Sequence, residues 1–262
     1  MEKDPLKALF GLNQQVALVT GAGRGLGRSM ALALAQAGSE LALVSRTEAE
    51  LKEVSDEVRG LDHERKIITI VADLADFAQI PRVVEKVIGE FGRIDILVNN
   101  AGRNIRNPAE NFSIEDWDAV MNINLKAAFL MAQTVGRVMI RQGKGKIINI
   151  ASLTSFIGLP NMVAYCASRG GVQQMTKALA VEWAKYSIQV NAIAPGYFLT
   201  KQTAHLFEDP KKKEWILSKI PMGRIGDLER DLAGVVIFLA SHASDYMTGQ
   251  TIIVDGGWMA GG

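Results

Sequence analysis

A doubly wound α/β fold on one seven-stranded parallel sheet is the architecture this sequence predicts. Three observations predict it. Short β-branched runs alternate with longer segments of helical period. The runs are largely apolar throughout rather than at every second residue. A glycine cluster falls at the first strand-to-helix junction. Strands apolar on both faces suit a parallel sheet covered by helices on each side. Strand–helix alternation gives βαβ units with right-handed crossovers.

Residues 1–14 read as a loosely attached arm, ahead of one domain spanning 15–262. The first strand is placed at 16–20, followed by a glycine turn and a helix that runs to 37. Strands at 41–45 and 67–71 flank a periodic helical segment at 48–59. A helix at 80–91 leads into a strand at 94–98. One long helix is expected over 113–142, before a strand at 146–150. A second long helix over 164–186 precedes a strand at 188–193. Residues 198–226 interrupt the alternation; they hold His205, Trp215 and two prolines and read as a small helical lid over a cleft. A helix at 228–239 and a strand at 251–254 close the chain.

Composition narrows the function. Lys and Arg total 29 against 28 Asp and Glu, which argues against a general electrostatic footprint for nucleic acid. Lys211, Lys212 and Lys213 form a basic run that reads as a solvated helix face. The single Cys166 excludes an internal disulfide and a multi-cysteine metal site, so no metal is expected. Residues 1–9 are charged and lack the apolar core of a signal peptide. No uninterrupted apolar run is long enough to span a bilayer. A cytoplasmic protein is the expectation.

The glycine turn Thr20-Gly21-Ala22-Gly23-Arg24-Gly25-Leu26-Gly27 lies between a strand and a helix. Glycines there let the backbone turn tightly and approach a pyrophosphate, while the helix N-terminus offers free N–H groups and a positive dipole end. Further along stand Asn99-Asn100-Ala101-Gly102, then Asn124, then Ser152, and 13 residues later Tyr165-Cys166-Ala167-Ser168-Arg169, then Pro195-Gly196. In that order and spacing they resemble the short-chain dehydrogenase/reductase family, over about residues 14 to 258. The family has a Rossmann-type fold and a Tyr-x-x-x-Lys motif. Here the lysine is an arginine.

The resemblance implies a chemistry. A carbonyl reduction needs a proton donor beside the carbonyl oxygen. A phenol has an ordinary pKa of about 10, and a neighbouring cation stabilises its phenolate. By resemblance Tyr165 is the acid/base, Ser152 holds the substrate oxygen and Asn124 organises the proton-relay water. Helical period puts Tyr165 and residue 169 on one face. Arg169 keeps the positive charge and can still bond a nicotinamide ribose, but an arginine is bulkier and not deprotonated. It should retain the ribose contact better than the relay.

The resemblance also maps a cofactor site onto Gly21, Arg24, Gly25, Leu26 and Gly27, then Ser45 and Arg46. It continues through Asp73 and Leu74, Asn100, Ala101 and Gly102, Tyr165 and Arg169, and Pro195, Gly196, Phe198 and Thr200. An acid at the end of the second strand would select NAD, and an arginine accommodates a 2′-phosphate. Position 45 is a serine, and Arg46 and Arg24 are nearby, so NADP(H) is favoured over NAD(H). Either arginine could instead be merely solvent-exposed. Asp73 resembles the residue that contacts the adenine amino group, and would equally serve as a helix N-cap.

Within the family the likeness is to the sugar-acid branch, the gluconate 5-dehydrogenases and 2-deoxy-3-keto-gluconate-type dehydrogenases. Arg106, Gln202-Thr203, Tyr197, Ile220-Pro221, Gly223-Arg224 and the terminal Asp255-Gly256-Gly257-Trp258 carry it. Arg106, with Arg103 nearby, could hold a carboxylate, and Gln202 a hydroxyl, beside Ser152 and Tyr165. His205 could do the same, though a surface role comes first. Arg103-Asn104-Ile105-Arg106 departs from the branch's Arg-Arg pair, and Phe198-Leu199 is bulkier than its small apolar pair. A sugar acid or related polyol is the expected substrate. A 3-oxoacyl thioester reductase and a catalytically weak nucleotide-binding protein are the alternatives. Broad apolar helix faces and a terminal tail able to pack on a neighbour suggest a homotetramer.

Overall fold

The computed structural model describes residues 4–201 and 203–261. The strands are β1 Val16–Thr20, β2 Glu40–Ser45, β3 Ile67–Val71, β4 Ile96–Asn99, β5 Gly145–Ile150, β6 Ile188–Pro195 and β7 Thr251–Val254. They form one sheet in the order β3-β2-β1-β4-β5-β6-β7, and every pairing is parallel. Strand order reverses between β1 and β4, which opens the crevice where doubly wound folds bind ligands.

Successive side chains on a strand point to opposite faces, and here both faces are dry. Ala17 and Val19 of β1 join one core, packed with Met30 and Leu34 of α2 (Gly25–Gln36), Leu51 and Val54 of α3 (Glu48–Leu61), and Val236 of a late helix. Val16 and Leu18 join the other. That side carries Ile80 and Val83 of α4 (Gln79–Phe91) and Met131 of a central helix. The expected sandwich of helix, sheet and helix therefore follows from apolar strands alone.

The arm is not loose throughout. It contains α1 (Pro5–Phe10), whose N-cap Asp4 accepts from the backbone N–H groups of Leu6 and Lys7. After it, Leu12 is fully buried and its N–H donates to Ala37 O at 2.8 Å. β4 begins two residues later than its apolar run. The Asp95 carboxylate accepts from Val16 N at 3.0 Å and from Arg93 Nε at 2.7 Å, while Gln142 takes the Ile94 N–H. At Ile94 the Gln142 amide takes both backbone groups, while Asp95 already joins the ladder, its N–H donating to Val16 O at 2.9 Å and its O accepting from Lys146 N at 2.8 Å.

The long helix expected over 113–142 is three pieces. These are α5 (Ile114–Met121), a π-helical turn at Asn122–Lys126 and α6 (Ala127–Gln142). The next long helix, α7, runs Val163–Trp183 and tightens into a 3₁₀ turn at Ala184–Tyr186.

Residues 198–226 leave the sheet and return to the place they left. Phe198 pairs with Gly226 in an isolated bridge, and Gly226 N donates to Tyr197 O at 2.8 Å. Between them lie α8 (Ala204–Glu208) and α9 (Pro210–Ser218), the latter capped by Asp209. Leu206, Ile216 and Ile220 form a small separate core. Trp258 packs onto it, with ring centroids 5.0 Å from Tyr197 and 5.6 Å from Trp215. The terminal tail therefore packs its ring on its own lid.

The last helix, α10, is Ala233–Ala240, shorter than its periodicity suggested. Asp227 Oδ1 accepts from Glu229 N and Arg230 N, and the Asp231 carboxylate accepts from Asp227 N. These bonds cap a single turn, in which Asp231 N donates to Asp227 O at 3.0 Å, ahead of α10. Among the described residues no helix is long and apolar enough to cross a membrane.

Candidate active site

The cleft opens at the C-terminal edge of the sheet, where β1 ends in the glycine turn. Gly21 takes φ +63° and Gly25 φ +56°, a region that side chains rarely adopt. A Cβ at Gly21 would stand 2.8 Å from Asn100 Nδ2. That amide donates to Thr20 O and Gly21 O, and Thr20 Oγ1 accepts from the N–H groups of Asn100 and Ala101. Asn100 is therefore the clamp that ties the turn to the end of β4. Gly27 lies behind, where a Cβ would strike Gly21 O; its place is for packing the helix, not for lining the cleft.

The chemistry-bearing side chains come from three elements. Ser152 follows β5 and caps a 3₁₀ turn, its Oγ accepting from Thr154 N at 3.2 Å. Ser155 in that turn donates to Arg169 O at 2.7 Å, which fastens the Ser152 loop to α7. Tyr165 and Arg169 share one face of α7, with the guanidinium carbon 5.1 Å from the Tyr165 ring centroid. Arg169 is only 5% exposed, and its Nη1 donates to Ile150 O at 2.6 Å. A Cβ at Gly102 would collide with Arg169 Nη2, so that glycine gives the guanidinium its room.

Asn124 sits in the π-helical turn and is buried. Its Oδ1 accepts from Arg103 N at 2.8 Å, and its Nδ2 donates to Arg103 O at 2.9 Å and to Ser168 Oγ at 3.0 Å. It pins the segment after Gly102 to α7 from behind the wall and does not itself line the cleft. An extra residue in a helix turn is what aims it there.

The cleft has a volume of about 770 Å³, enough for a dinucleotide end and a small substrate together. Its adenosine end carries Arg24, Ser45, Arg46, Asp73 and Leu74; Gly21, Gly25, Leu26, Ala101 and Gly102 form the floor. Its inner end carries Ser152, Tyr165, Arg169 and Arg106. Pro195, Gly196, Phe198 and Thr200 bound it on the lid side. His205 is exposed and away from the cleft, and Lys211, Lys212 and Lys213 are solvated. Gln202 lies outside the described residues.

Two further residues reach the cleft that no local motif singles out, and Tyr197, named above only as part of the branch likeness, reaches it too. Glu50 and Lys201 line the adenosine end. Arg24 Nη1 lies 3.1 Å from Glu50 Oε1, and Arg46 Nη1 lies 3.8 Å from Asp73 Oδ2, so both phosphate-candidate arginines already face carboxylates. Asp73 also accepts from Ala75 N at 3.0 Å, so it serves the turn and the cleft at once. Tyr197 lines the inner end; burial pushes its phenol up, and the Arg106 charge pulls the other way.

A dinucleotide fits this cleft. The positive-φ glycines leave backbone exposed under the N-terminus of α2, and Gly102 keeps the path to Arg169 open. Among the described residues no group of His, Cys, Asp and Glu is placed to hold a metal. Fold and cleft together define a class: an oxidoreductase that uses a nicotinamide cofactor to interconvert a secondary alcohol and a ketone.

Comparison with known proteins gives the family. The model described as enoyl-(acyl carrier protein) reductase, of the adh_short_C2 group, matches residues 21–259. The 2-dehydro-3-deoxy-D-gluconate 5-dehydrogenase of Dickeya dadantii (strain 3937) is 48% identical over 252 residues, covering 96% of this chain and 98% of that one. A 3-oxoacyl-acyl-carrier-protein reductase of Thermotoga maritima is 43% identical over 246 residues, covering 94% and 98%. The crystal structure of a gluconate 5-dehydrogenase from Burkholderia cenocepacia J2315, in complex with NADP and tartrate, superposes with a TM-score of 0.92 at 40% identity, covering 97% and 99%. The chain belongs to the short-chain dehydrogenase/reductase family.

Proposed function

We propose that this protein is an NADP(H)-preferring dehydrogenase that interconverts a secondary hydroxyl and a ketone on a sugar acid or related polyol. One observation carries the reading: cations are stationed at both ends of one cleft. Arg24 and Arg46 stand at the adenosine end, and Arg106 stands at the inner end beyond Tyr165. A guanidinium suits a 2′-phosphate at one station and a carboxylate at the other. The sugar-acid activity in the Dickeya relative's name, and the NADP and tartrate in the Burkholderia structure, support the assignment.

A nicotinamide cofactor held in this cleft would supply or accept the hydride at the substrate's carbinol or carbonyl carbon. Tyr165 gives or takes the proton on the substrate oxygen, and Ser152 donates to that oxygen. Arg169 lies against the Tyr165 ring and keeps a positive charge beside the reacting phenol. Asn124 is a positioning residue, since it holds Arg103 and Ser168 rather than the reacting atoms. Arg106, facing Tyr197, receives the substrate anion.

The reading includes a cytoplasmic homotetramer with neither nucleic-acid nor membrane partners. Exposed Phe129, Val163, Val181 and Ile253 on α6, α7 and β7 are its apolar contact surface. Light scattering at micromolar concentration tests the assembly, and a monomer refutes it. Oxidation of NADPH across a panel of keto-sugar acids, neutral ketones and 3-oxoacyl thioesters tests the activity. Preference for the thioester would favour the activity of the Thermotoga relative instead. No turnover with any ketone would leave a nucleotide-binding protein.

A further inference from the structure

Position 45 carries a serine where an acid would select NAD, yet the fold delivers a carboxylate to the same corner from another element. Glu50 stands in the first turn of α3, and its side chain is only 16% exposed. Its Oε1 accepts from Arg24 Nη1 at 3.1 Å and lies 3.5 Å from Lys201 Nζ. A Cβ on Gly23 would stand 3.0 Å from Ser45 Oγ and 3.1 Å from Glu50 Oε2, so hydroxyl and carboxylate flank one glycine. One carboxylate thus faces two cations, one from the glycine turn and one from the start of the lid. The other pair, Arg46 with Asp73, is looser, at 3.8 Å with both side chains well exposed.

We propose that Glu50 sets the ratio of NADP(H) to NAD(H) affinity. It acts as an internal counter-ion that a 2′-phosphate must displace from Arg24 and Lys201, and Lys201 is a further cation of that phosphate's site. This rests on the reading above that the adenosine end can take a 2′-phosphate. A dianion placed between Arg24 and Lys201 meets Glu50 as a like charge, while a ribose 2′-hydroxyl meets it as a hydrogen-bond acceptor. The same carboxylate therefore opposes one cofactor and welcomes the other. Specificity then comes from a repulsive element as much as from the arginines.

Glu50→Gln keeps the shape and removes the charge. Glu48→Gln is the control, since Glu48 occupies the same first helical turn without lining the cleft. Binding of NADPH, NADH, 2′,5′-ADP and 5′-AMP is measured by titration calorimetry for the wild type, both variants and Lys201→Ala. Glu50→Gln should tighten NADPH and 2′,5′-ADP about five- to tenfold, the scale of one half-buried charge. NADH and 5′-AMP should stay within about twofold or weaken. Lys201→Ala should weaken 2′,5′-ADP about fivefold and leave 5′-AMP unchanged. Glu48→Gln should change neither. Equal changes for both cofactors, or a loss of NADPH affinity in Glu50→Gln, would overturn the proposal by showing that Glu50 merely orients Arg24. If the wild type binds NADH more tightly than NADPH, the cofactor preference proposed above fails. The Glu50 assignment is still decided, by whether the ratio of the two constants moves between wild type and Glu50→Gln.

Discussion

Replacing Arg169 by lysine tests the reacting centre most directly, because only the shape of the cation changes. The guanidinium is 95% buried, bonded to Ile150 O at 2.6 Å, stacked 5.1 Å from the Tyr165 ring centroid and packed against Gly102. Arg169→Ala removes all of this. An unpaired buried carbonyl costs about 1–3 kcal/mol. The lost cation–π contact adds about 0.5–2 kcal/mol. Destabilisation of about 2–4 kcal/mol is therefore expected, together with weakened NADPH binding and loss of turnover. Arg169→Lys keeps the charge beside Tyr165 and empties the corner between Ile150 O, Gly102 and Asn124. A compact ammonium that exchanges protons should restore relay through that corner, so hydride transfer should speed up roughly tenfold, within the range of general acid–base effects. The assay is stopped-flow loss of NADPH absorbance with an accepted ketone, in H₂O and in D₂O, beside cofactor dissociation constants. A slower transfer in Arg169→Lys at unchanged cofactor affinity would refute the argument. It would mean that the pocket is built around the guanidinium and that the arginine is a working adaptation.

Other consequences are as open to measurement. Tyr165→Phe should abolish turnover while leaving the NADPH dissociation constant within about twofold, since one hydroxyl is lost from a half-buried ring; unchanged hydride transfer would remove the mechanism. Arg46→Asp places a second acid beside Asp73, its present ion-pair partner at 3.8 Å, and should reverse a preference for NADPH over NADH; paired titrations check it. Arg106→Ala should raise KM for an anionic substrate about tenfold or more and leave a neutral ketone unaffected, a split read from steady-state kinetics. The Arg224 guanidinium, with the Asp227 N–H, holds Asp231 down at about 2 from an ordinary 3.8. A depressed carboxyl contributes stability above its unfolded pKa and loses it as pH falls through the folded one. Asp231→Asn should therefore cost about 0.5–1 kcal/mol at neutral pH for this solvent-facing pair. The difference from wild type should close between about pH 4 and pH 2 in denaturation midpoints.

What the sequence makes legible is what short-range physics decides. The strands could be placed because a buried parallel strand must be apolar on both faces, and β1, β3 and β7 occupy the residues their runs occupy. The glycine turn, Ser152 and the Tyr165–Arg169 pair were legible through a resemblance, in order and spacing, to a known family. The π-helical turn was not, because Asn122–Lys126 keeps enough helical period to look continuous. The start of α10 was hidden for a related reason. Leu228 fits the apolar stripe, but Asp227 caps only a single turn there, its Oδ1 accepting from Glu229 N and Arg230 N, and the helix proper begins at Ala233.

Glu50 shows the deeper limit. Its neighbours on α3 include Glu48, Lys52 and Glu53, and along the chain it is one charge among several on a polar face. What distinguishes it is that α3 begins within a few residues of the end of β2, so its first turn overhangs the glycine turn after β1. The register of β1 against β2, with Thr20 opposite Val44, brings those two loops together. Arg24 and Glu50, 26 positions apart, then meet at 3.1 Å, and Lys201 joins them from the lid 151 positions further on. The absence of an acid at residue 45 describes one position on one strand. The charge that a 2′-phosphate meets is set by every element that converges on the crevice. On the proposal above, cofactor choice is a property of the three-way junction of glycine turn, α3 and lid, and substitutions in any of the three should move it.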